Sequence, residues 1–467
     1  MESSDLTSLT AVSPIDGRYA SQSAWLREYF SEYALIKYRV IVEIKWFITM
    51  LTDQNYTNSS ASRVVSDMDV LDESTINTLN SIIDNFDVSE AEKVKAHEEV
   101  TKHDVKAVEY YLKDKFDEHE QLKNLKEFLH FTCTSEDINN LSYAMMVGKA
   151  IENVMLPELE KCIQIIQEKA HEYADVPMMS RTHGQSATPT TVGKELANFV
   201  YRVNRQIKVL KQIKPLGKFN GATGNFNAHV VWYPDLDWEE VSEKFVESLG
   251  IEYNPYSTQI EPHDSIAQIS NTFSLINTIL IDFARDMWGY ISLNYFKQLV
   301  VAGEVGSSTM PHKVNPINFE NAEGNLGLAN SIFSFFATKL PISRFQRDLS
   351  DSTVMRNIGV SFAYSISAYK ALMRGLARIE VNKEAVLSEL DQHYELLAEV
   401  IQTVMRKRKY PNPYEKLKEF TRGKNVTKED FEEFINNLDL PKEDIETLLA
   451  LSPSKYVGLA GTLAKKV

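Results

Sequence analysis

The chain has 467 residues, 43% of them hydrophobic and 25% charged, a profile that fits a soluble globular protein of two to four domains. Its formal net charge of −15 disfavours nucleic acid and anionic membrane surfaces as partners, and it contains no run of 18 apolar residues such as a membrane span requires. Two cysteines, Cys133 and Cys162, supply neither a disulfide framework nor a metal-ligand spacing; they read as small buried apolar groups in a reducing compartment. Met1 to Asp5 carries no basic patch and no apolar core, so no signal peptide is expected and the cytoplasm is the expected location. With 18 Gly and 15 Pro the chain falls well below the usual ~12% for the pair, which predicts long helices with few turns.

The first ~120 residues read as shorter helices joined by polar connectors such as Asn55-Tyr56-Thr57-Asn58-Ser59-Ser60. Within them, Ser13-Pro14-Ile15-Asp16-Gly17-Arg18-Tyr19 sets an Arg beside a Tyr after a turn, a pairing suited to a bidentate phosphate clamp. Thr101-Lys102-His103-Asp104 places a His between Lys and Asp at a helix start, either as a cap or as a site residue. Thr132-Cys133-Thr134-Ser135-Glu136-Asp137-Ile138-Asn139-Asn140 supplies hydroxyls and amides, with Ser135 placed to cap the helix that follows.

Helical periodicity dominates the middle of the chain. Ile151, Met155, Leu159, Ile163, Ile166, Ala170 and Tyr173 fall on one face, as do Val192, Leu196, Phe199, Val203, Ile207, Leu210 and Ile213. A third run holds Ile266, Ile269, Phe273, Ile276, Leu280, Phe283, Met287 and Ile291. Each spans roughly 33 to 39 Å at ~1.5 Å per residue. Leu275, Ile279, Ile281 and Trp288 widen the third stripe, which predicts a helix buried nearly all round against partner chains. Between the first two runs, Ser180-Arg181-Thr182-His183-Gly184-Gln185 surrounds a His with hydrogen-bonding neighbours and little to pack. A minor hairpin is expected near Phe219 to Tyr233, where Gly and Asn cluster.

After the third run comes Gly303-Glu304-Val305-Gly306-Ser307-Ser308-Thr309-Met310-Pro311-His312-Lys313-Val314-Asn315-Pro316. Gly and Pro punctuate it as a mobile loop that carries a base or nucleophile candidate beside a cation and an amide, suited to chemistry on a carboxylate. Asn318-Phe319-Glu320-Asn321 continues it. In the segment from Ser343 to Asn357, Arg347 and Arg356 stand nine apart with Ser352 and Thr353 between them, a set suited to phosphate or, alternatively, to simple pairing with Asp348 and Asp351. The C-terminal part is charged and helical: Thr427-Lys428-Glu429-Asp430 opens a helix in capping-box style and Pro441 suits a first helical turn. Arg18, Lys102, Lys313, Arg344, Arg347 and Arg356 all lie in these distinctive segments, so an acidic chain would carry a locally basic pocket. No Walker loop, no GxGxxG after a strand, no HExxH and no nucleophile elbow occurs, and neither a metal nor an organic cofactor is expected.

The loop from Gly303 to Pro316 resembles the signature of the fumarase/aspartase superfamily. Together and in this order, the Ser13–Tyr19, His103–Ala107, Met310–Lys313, Tyr414–Lys418 and Thr421–Lys424 segments resemble the bacterial type of the adenylosuccinate lyase family within it. Fumarases and aspartases tend to place a small residue where His312 stands, and argininosuccinate lyases a Gln. The resemblance implies an all-α, three-domain fold: an N-terminal helical domain at 1–122, a long-helix bundle carrying the signature loop at 123–375, and a C-terminal helical domain at 376–467. It also implies a homotetramer with a 20-helix core and active sites shared between subunits. The implied activity is β-elimination of fumarate, from adenylosuccinate to give AMP and from SAICAR to give AICAR, on small purine nucleotides and without cofactor or metal.

By the same resemblance Ser307 is the base, with Ser308 the runner-up, and His183 the acid. Lys313 and Asn315 grip the succinyl carboxylate with Thr134 and Ser135 assisting. His103 and Gln259 touch substrate, Lys102 and Asp104 belong to the binding set, and Glu320 and Asn321 orient the loop or the substrate. Arg18, Tyr19, Arg347, Ser352, Thr353 and Arg356 hold phosphate and ribose. The readings that compete are another fumarate-releasing member, such as an argininosuccinate lyase, and a catalytically silent nucleotide-binding relative.

Overall fold

The computed structural model describes residues 5–52, 71–300, 303, 309–423 and 426–467. The connector from Asn55 to Ser60, the loop residues Ser307 and Ser308, and Lys424 lie outside them. In chain order the principal helices and strands begin with α1 (Glu32–Thr52), α2 (Glu73–Asp84), α3 (Val88–Thr101), α4 (Asp104–Asp117), α5 (Ser135–Ala150) and α6 (Leu156–Glu172). Strands β1 (Pro177–Thr182) and β2 (Gln185–Thr191) lead into α7 (Val192–Leu210) and β3 (Leu216–Gly217). Then come α8 (Asn227–Trp232), α9 (Trp238–Ser248), β4 (Glu252–Tyr253), α10 (Asp264–Ser292), β5 (Phe296–Gln298) and α11 (Ile317–Lys339). The last are α12 (Ser350–Met355), α13 (Ile358–Leu376), β6 (Ile379–Val381), α14 (Ala398–Lys407), α15 (Lys428–Asn436) and α16 (Lys442–Leu449). Strand pairing is minor: β1–β2 and β5–β6 are antiparallel, and β3–β4 is parallel. The expected helical architecture is what forms.

The three apolar stripes become the buried faces of long helices. The first continues α5 through one π-helical turn, Ile151–Met155, into α6. Pro157, which has no N–H to give the preceding turn, follows directly, and a π turn is a low-cost way to relieve that break. Ile151, Met155, Leu159, Ile163, Ile166, Ala170 and Tyr173 are all buried. The second stripe forms α7, with Ile213 beyond its end, and the third forms α10.

Within the single chain Leu275 and Trp288 on α10 are 46% and 49% exposed, so the chain by itself does not supply the all-round burial expected against partner chains. Two expectations need correction. No hairpin forms at 219–233; a turn-rich loop and the short helix α8 stand there, because Gly221 and Gly224 take positive φ and the chain turns without a pairing strand. The well-formed hairpin is β1–β2. Finally, Thr134 and not Ser135 is the N-cap of α5: its backbone is extended, and its N–H donates to the Asp137 carboxylate at 2.8 Å. In the C-terminal part, the Thr427–Asp430 capping box forms as read, and Pro441 stands at the N-cap of α16.

The chain divides into two compact units. Unit 1 comprises Met1–Glu158, Ile207–Thr278 and Asn325–Ser367; unit 2 comprises Leu159–Gln206, Ile279–Gly324 and Ala368–Val467. In unit 1, α1 to α4 close over a core that includes Val40, Ile44, Phe47, Val108, Leu112 and Phe116. A second group of rings in the same unit stacks Phe30 on Phe362 and Phe273 on Phe333. In unit 2, the C-terminal helices bury Leu397, Ile401, Met405, Phe431, Ile435 and Leu448. There, Gly193 sets the approach of α7 to the end of α6. A Cβ at Gly193 would lie 2.2 Å from the Ala170 carbonyl oxygen and 2.5 Å from Ala174 Cα, both backbone atoms that cannot swing aside. Gly193→Ala is therefore expected to cost about 3 kcal/mol, read as a lowered midpoint in thermal unfolding; an unchanged midpoint would show that this contact is not close.

Candidate active site

In unit 1 three of the polar segments singled out in the sequence, through Asp104, through Glu136 and Asn139, and through Arg347 and Arg356, join one hydrogen-bonded network. Lys102 ends α3 in the left-handed conformation (φ 55°), and this reversal presents His103 as the N-cap of α4. His103 Nδ1 accepts the Lys106 N–H at 3.2 Å, so its neutral ring carries the proton on Nε2, on an exposed side chain. The cap and the site reading therefore coincide, since capping leaves one donor facing outward. Asp104 accepts from Arg39 Nη2 at 2.6 Å and from Arg356 Nη2 at 3.0 Å. Burial pushes its carboxyl up, but Arg39 and Arg356 outweigh that and hold it below the usual carboxylate range. Arg356, just past α12, also donates to Glu32 at 2.7 Å.

Arg347 donates to Gln259 Oε1 at 3.1 Å and to Glu136 Oε1 at 3.0 Å. Neither Arg347 nor Arg356 pairs with Asp348 or Asp351 in the way a simple charge-pair reading requires. Asp348 instead closes its own loop, accepting the Ser350 N–H at 2.8 Å and the Arg344 N–H at 3.1 Å, and bonds to Ser350 lower its pKa to about 2. Asp351 bonds His263 Nε2 at 3.2 Å. Ser352 is half-buried and Thr353 exposed on α12; Arg18 is exposed and Tyr19 half-buried on the turn that follows Ser13. Thr134 and Ser135 are half-buried at the start of α5.

Behind Thr134 lies a fully buried ion pair that sequence reading did not assign. Asp137 meets Lys218 Nζ at 2.7 Å and accepts the backbone N–H groups of Thr134 and Asn220 at 2.8 and 3.1 Å. This ties the loop at 218–221 to the first turn of α5. His130 is a second such residue, pairing with the buried Glu43 at 2.6 Å. Burial pulls its pKa down, but Glu43 more than offsets this and holds it above the ordinary 6.5. A raised folded pKa gives stabilisation that is complete below pH 6.5 and lost as pH rises through the folded value. The stability difference between the parent and His130→Asn should thus be largest below pH 6.5 and narrow at alkaline pH; a difference independent of pH would show an uncharged pair.

In unit 2, His183 occupies the tip of the β1–β2 hairpin. Thr182 pairs with Gln185, so His183 and Gly184 form a two-residue turn with φ of 53° and 74°, the primed type that matches strand twist. A His in this conformation is under strain of about 1 kcal/mol, and its imidazole is held out to solvent. The hairpin is anchored on the C-terminal part: Arg181 donates to Glu389 at 2.5 Å and Thr188 to Glu399 at 2.6 Å. Of the signature loop, Lys313 is exposed, Asn315 half-buried, and the Val314 carbonyl accepts from Gln298. Asn321 is half-buried on the first turn of α11, and Glu320 accepts from Trp288 Nε1 at 3.1 Å.

The predicted residues thus sort cleanly. Arg18, Tyr19, Lys102, His103, Asp104, Thr134, Ser135, Gln259, Arg347, Ser352, Thr353 and Arg356 belong to unit 1; His183, Lys313, Asn315 and Asn321 belong to unit 2. Sequence reading missed Arg39, Glu32, Lys218 and His130 and assigned no role to Glu136 or Asn139. One signal was available: Arg39 and Glu43 stand four apart, and so on one helix face, within the apolar run Tyr38–Ile44 of α1, where charges need partners.

Two family models match the chain, one described as Lyase over residues 17–330 and one as Adenylosuccinate lyase C-terminal over residues 343–457. Proteins named adenylosuccinate lyase are similar along nearly all of it. That of Escherichia coli K12 is 51% identical over 463 residues, 99% of this chain and 100% of that protein. That of Legionella pneumophila Corby is 53% identical over 460 residues, 98% of this chain and 99% of that protein. Among solved structures, a fumarate lyase from Mesorhizobium sp. BNC1 shares the fold with TM-score 0.71 at 17% identity, covering 94% of this chain and 96% of that one. The 3-carboxy-cis,cis-muconate lactonizing enzyme of Pseudomonas putida does so with TM-score 0.69 at 19% identity, covering 94% and 95%. With about half its residues shared along almost the whole length, this chain belongs to the adenylosuccinate lyase family.

Proposed function

We propose that the protein eliminates fumarate from adenylosuccinate to leave AMP, and from SAICAR to leave AICAR, in purine nucleotide biosynthesis. The observation that carries this reading is the identity of about half the residues, end to end, with proteins named adenylosuccinate lyase. In the proposed reaction, Ser307 takes a proton from the carbon beside a succinyl carboxylate, with Ser308 as the alternative base. Electrons move to form the carbon–carbon double bond, the C–N bond breaks, and His183 protonates the departing nitrogen. Lys313 and Asn315 stabilise the carboxylate as charge builds on it, with Thr134 and Ser135 assisting. A serine hydroxyl is a feeble base, so closure of the loop must exclude water and set Ser307 among cationic and backbone donors. Arg18, Tyr19, Arg347, Ser352, Thr353 and Arg356 hold phosphate and ribose. Lys102, His103, Asp104, Gln259 and Asn321 complete the binding set.

The protein acts as a homotetramer whose active sites draw on more than one subunit. What supports this is the apolar surface on its long helices: Tyr201 on α7, Leu275 and Trp288 on α10, and Leu328 and Phe335 on α11 are all exposed in the single chain. A cytoplasmic location fits the two free cysteines, and no helix among the described residues is long and apolar enough to cross a membrane. The test is direct: purified protein given adenylosuccinate or SAICAR, with no metal or coenzyme added, should release stoichiometric fumarate. Release from neither substrate by assembled protein overturns the reading.

A further inference from the structure

The two arginines proposed for the phosphate are joined by a continuous relay of hydrogen-bonded side chains. Arg347 Nη2 donates to Glu136 Oε1 at 3.0 Å, and the same oxygen accepts Asn139 Nδ2 at 2.9 Å. Asn139 Oδ1 accepts Arg39 Nε at 2.8 Å, and Arg39 Nη2 reaches Asp104 at 2.6 Å. Asp104 in turn holds Arg356 Nη2 at 3.0 Å. The order is continuous: Arg347, Glu136, Asn139, Arg39, Asp104, Arg356. All six lie in unit 1.

The middle of this relay is buried. Arg39 is 2% exposed and Glu136 5%, and Arg39 Nη1 is buried without a hydrogen-bond partner. An interior guanidinium is costly unless its charge is compensated. Arg39 has its counter-charge in Asp104, and its rigid fork spans two acceptors that a lysine ammonium could not engage with the same planar geometry. Each outer arginine is gripped by a carboxylate on its inner side. The Arg347 and Arg356 side chains are 20% and 37% exposed, so each guanidinium reaches the surface while a carboxylate holds it from within.

Resting on the assignment of Arg347 and Arg356 to the phosphate, we propose that Arg39 and Asn139 are positioning residues. Acting through Glu136 and Asp104, they lock the spacing of the two phosphate-binding guanidinium groups. They touch neither the succinyl group nor the reacting atoms, so their loss weakens recognition of the phosphorylated half of the substrate and leaves the elimination step alone.

Two variants test this. Asn139→Ala cuts the relay and leaves every charge in place. Arg39→Lys keeps the charge but gives up the fork. For each, KM for adenylosuccinate and the calorimetric Kd for AMP should rise about tenfold, the equivalent of one charge-assisted bond. Over the same comparison kcat and the inhibition constant for fumarate, which has no phosphate, should stay within about twofold of the parent. Unchanged AMP affinity in a folded variant overturns the proposal. So does an equal loss of AMP and fumarate affinity with a lowered unfolding midpoint, which would mark a scaffold role. The AMP titration needs no turnover, so a parent protein that binds AMP yet releases no fumarate defeats the functional reading and still tests the relay.

Discussion

Ser307→Ala and His183→Ala should each lower kcat by roughly 10³-fold or more, the scale at which a positioned base or acid contributes. The proposed elimination takes a proton from one carbon and gives a proton to the nitrogen carried by the next, and a closed site excludes the water that could stand in for either partner. The informative experiment combines them. If an active site takes Ser307 from one subunit and His183 from another, tetramers re-annealed from the two inactive variants contain some sites with both native residues. Activity should then return in part, rising with the fraction of mixed tetramers. Mixed tetramers shown to form, yet inactive, would mean that both residues of a working site come from the same chain. The exposed tip of the β1–β2 hairpin suits a donor to another subunit, because His183 extends outward on a backbone turn fixed by Gly184 and anchored through Arg181 and Glu389.

The second large effect separates chemistry from recognition. Lys313→Met should reduce kcat by about 10²-fold or more with little change in KM, because in its proposed role the lysine's charge is needed most as the succinyl carboxylate accumulates charge in the transition state. Arg347→Ala should instead raise KM for the phosphorylated substrate with a smaller effect on kcat. It removes a guanidinium that Gln259 and Glu136 orient before substrate arrives, and it strands the buried Glu136 without its counter-charge. Steady-state kinetics on both variants decides the matter; parallel losses of rate and affinity in both would contradict the division of labour. Circular dichroism and assembly state must match the parent for the Arg347 variant, since an unpaired buried carboxylate also threatens folding.

The long helices were legible in the sequence because their faces repeat every three or four residues. The core along Ile151 to Tyr173 can be written down from that spacing alone. The polar segments were legible for the opposite reason: His103-Asp104, Thr134-Ser135 and His183-Gly184 interrupt apolar periodicity with residues that gain nothing by packing. The loop at 303–316 announced a chemistry through its order of residues. Local signals of this kind survive without the fold because they depend on neighbours along the chain. What only the tertiary structure decided is how distant segments meet. Arg39 and Asp104, 65 residues apart, and Glu136 and Arg347, 211 apart, form direct ion pairs that no spacing encodes. Thr134 displaced Ser135 as the cap because Asp137 accepts its N–H, with Lys218 behind that carboxylate. The hairpin formed at 177–191 and not at 219–233 because His183 and Gly184 both take the left-handed conformation that a two-residue turn requires. Burial and long-range charge pairing belong to the folded surface as a whole, and a linear pattern does not carry them.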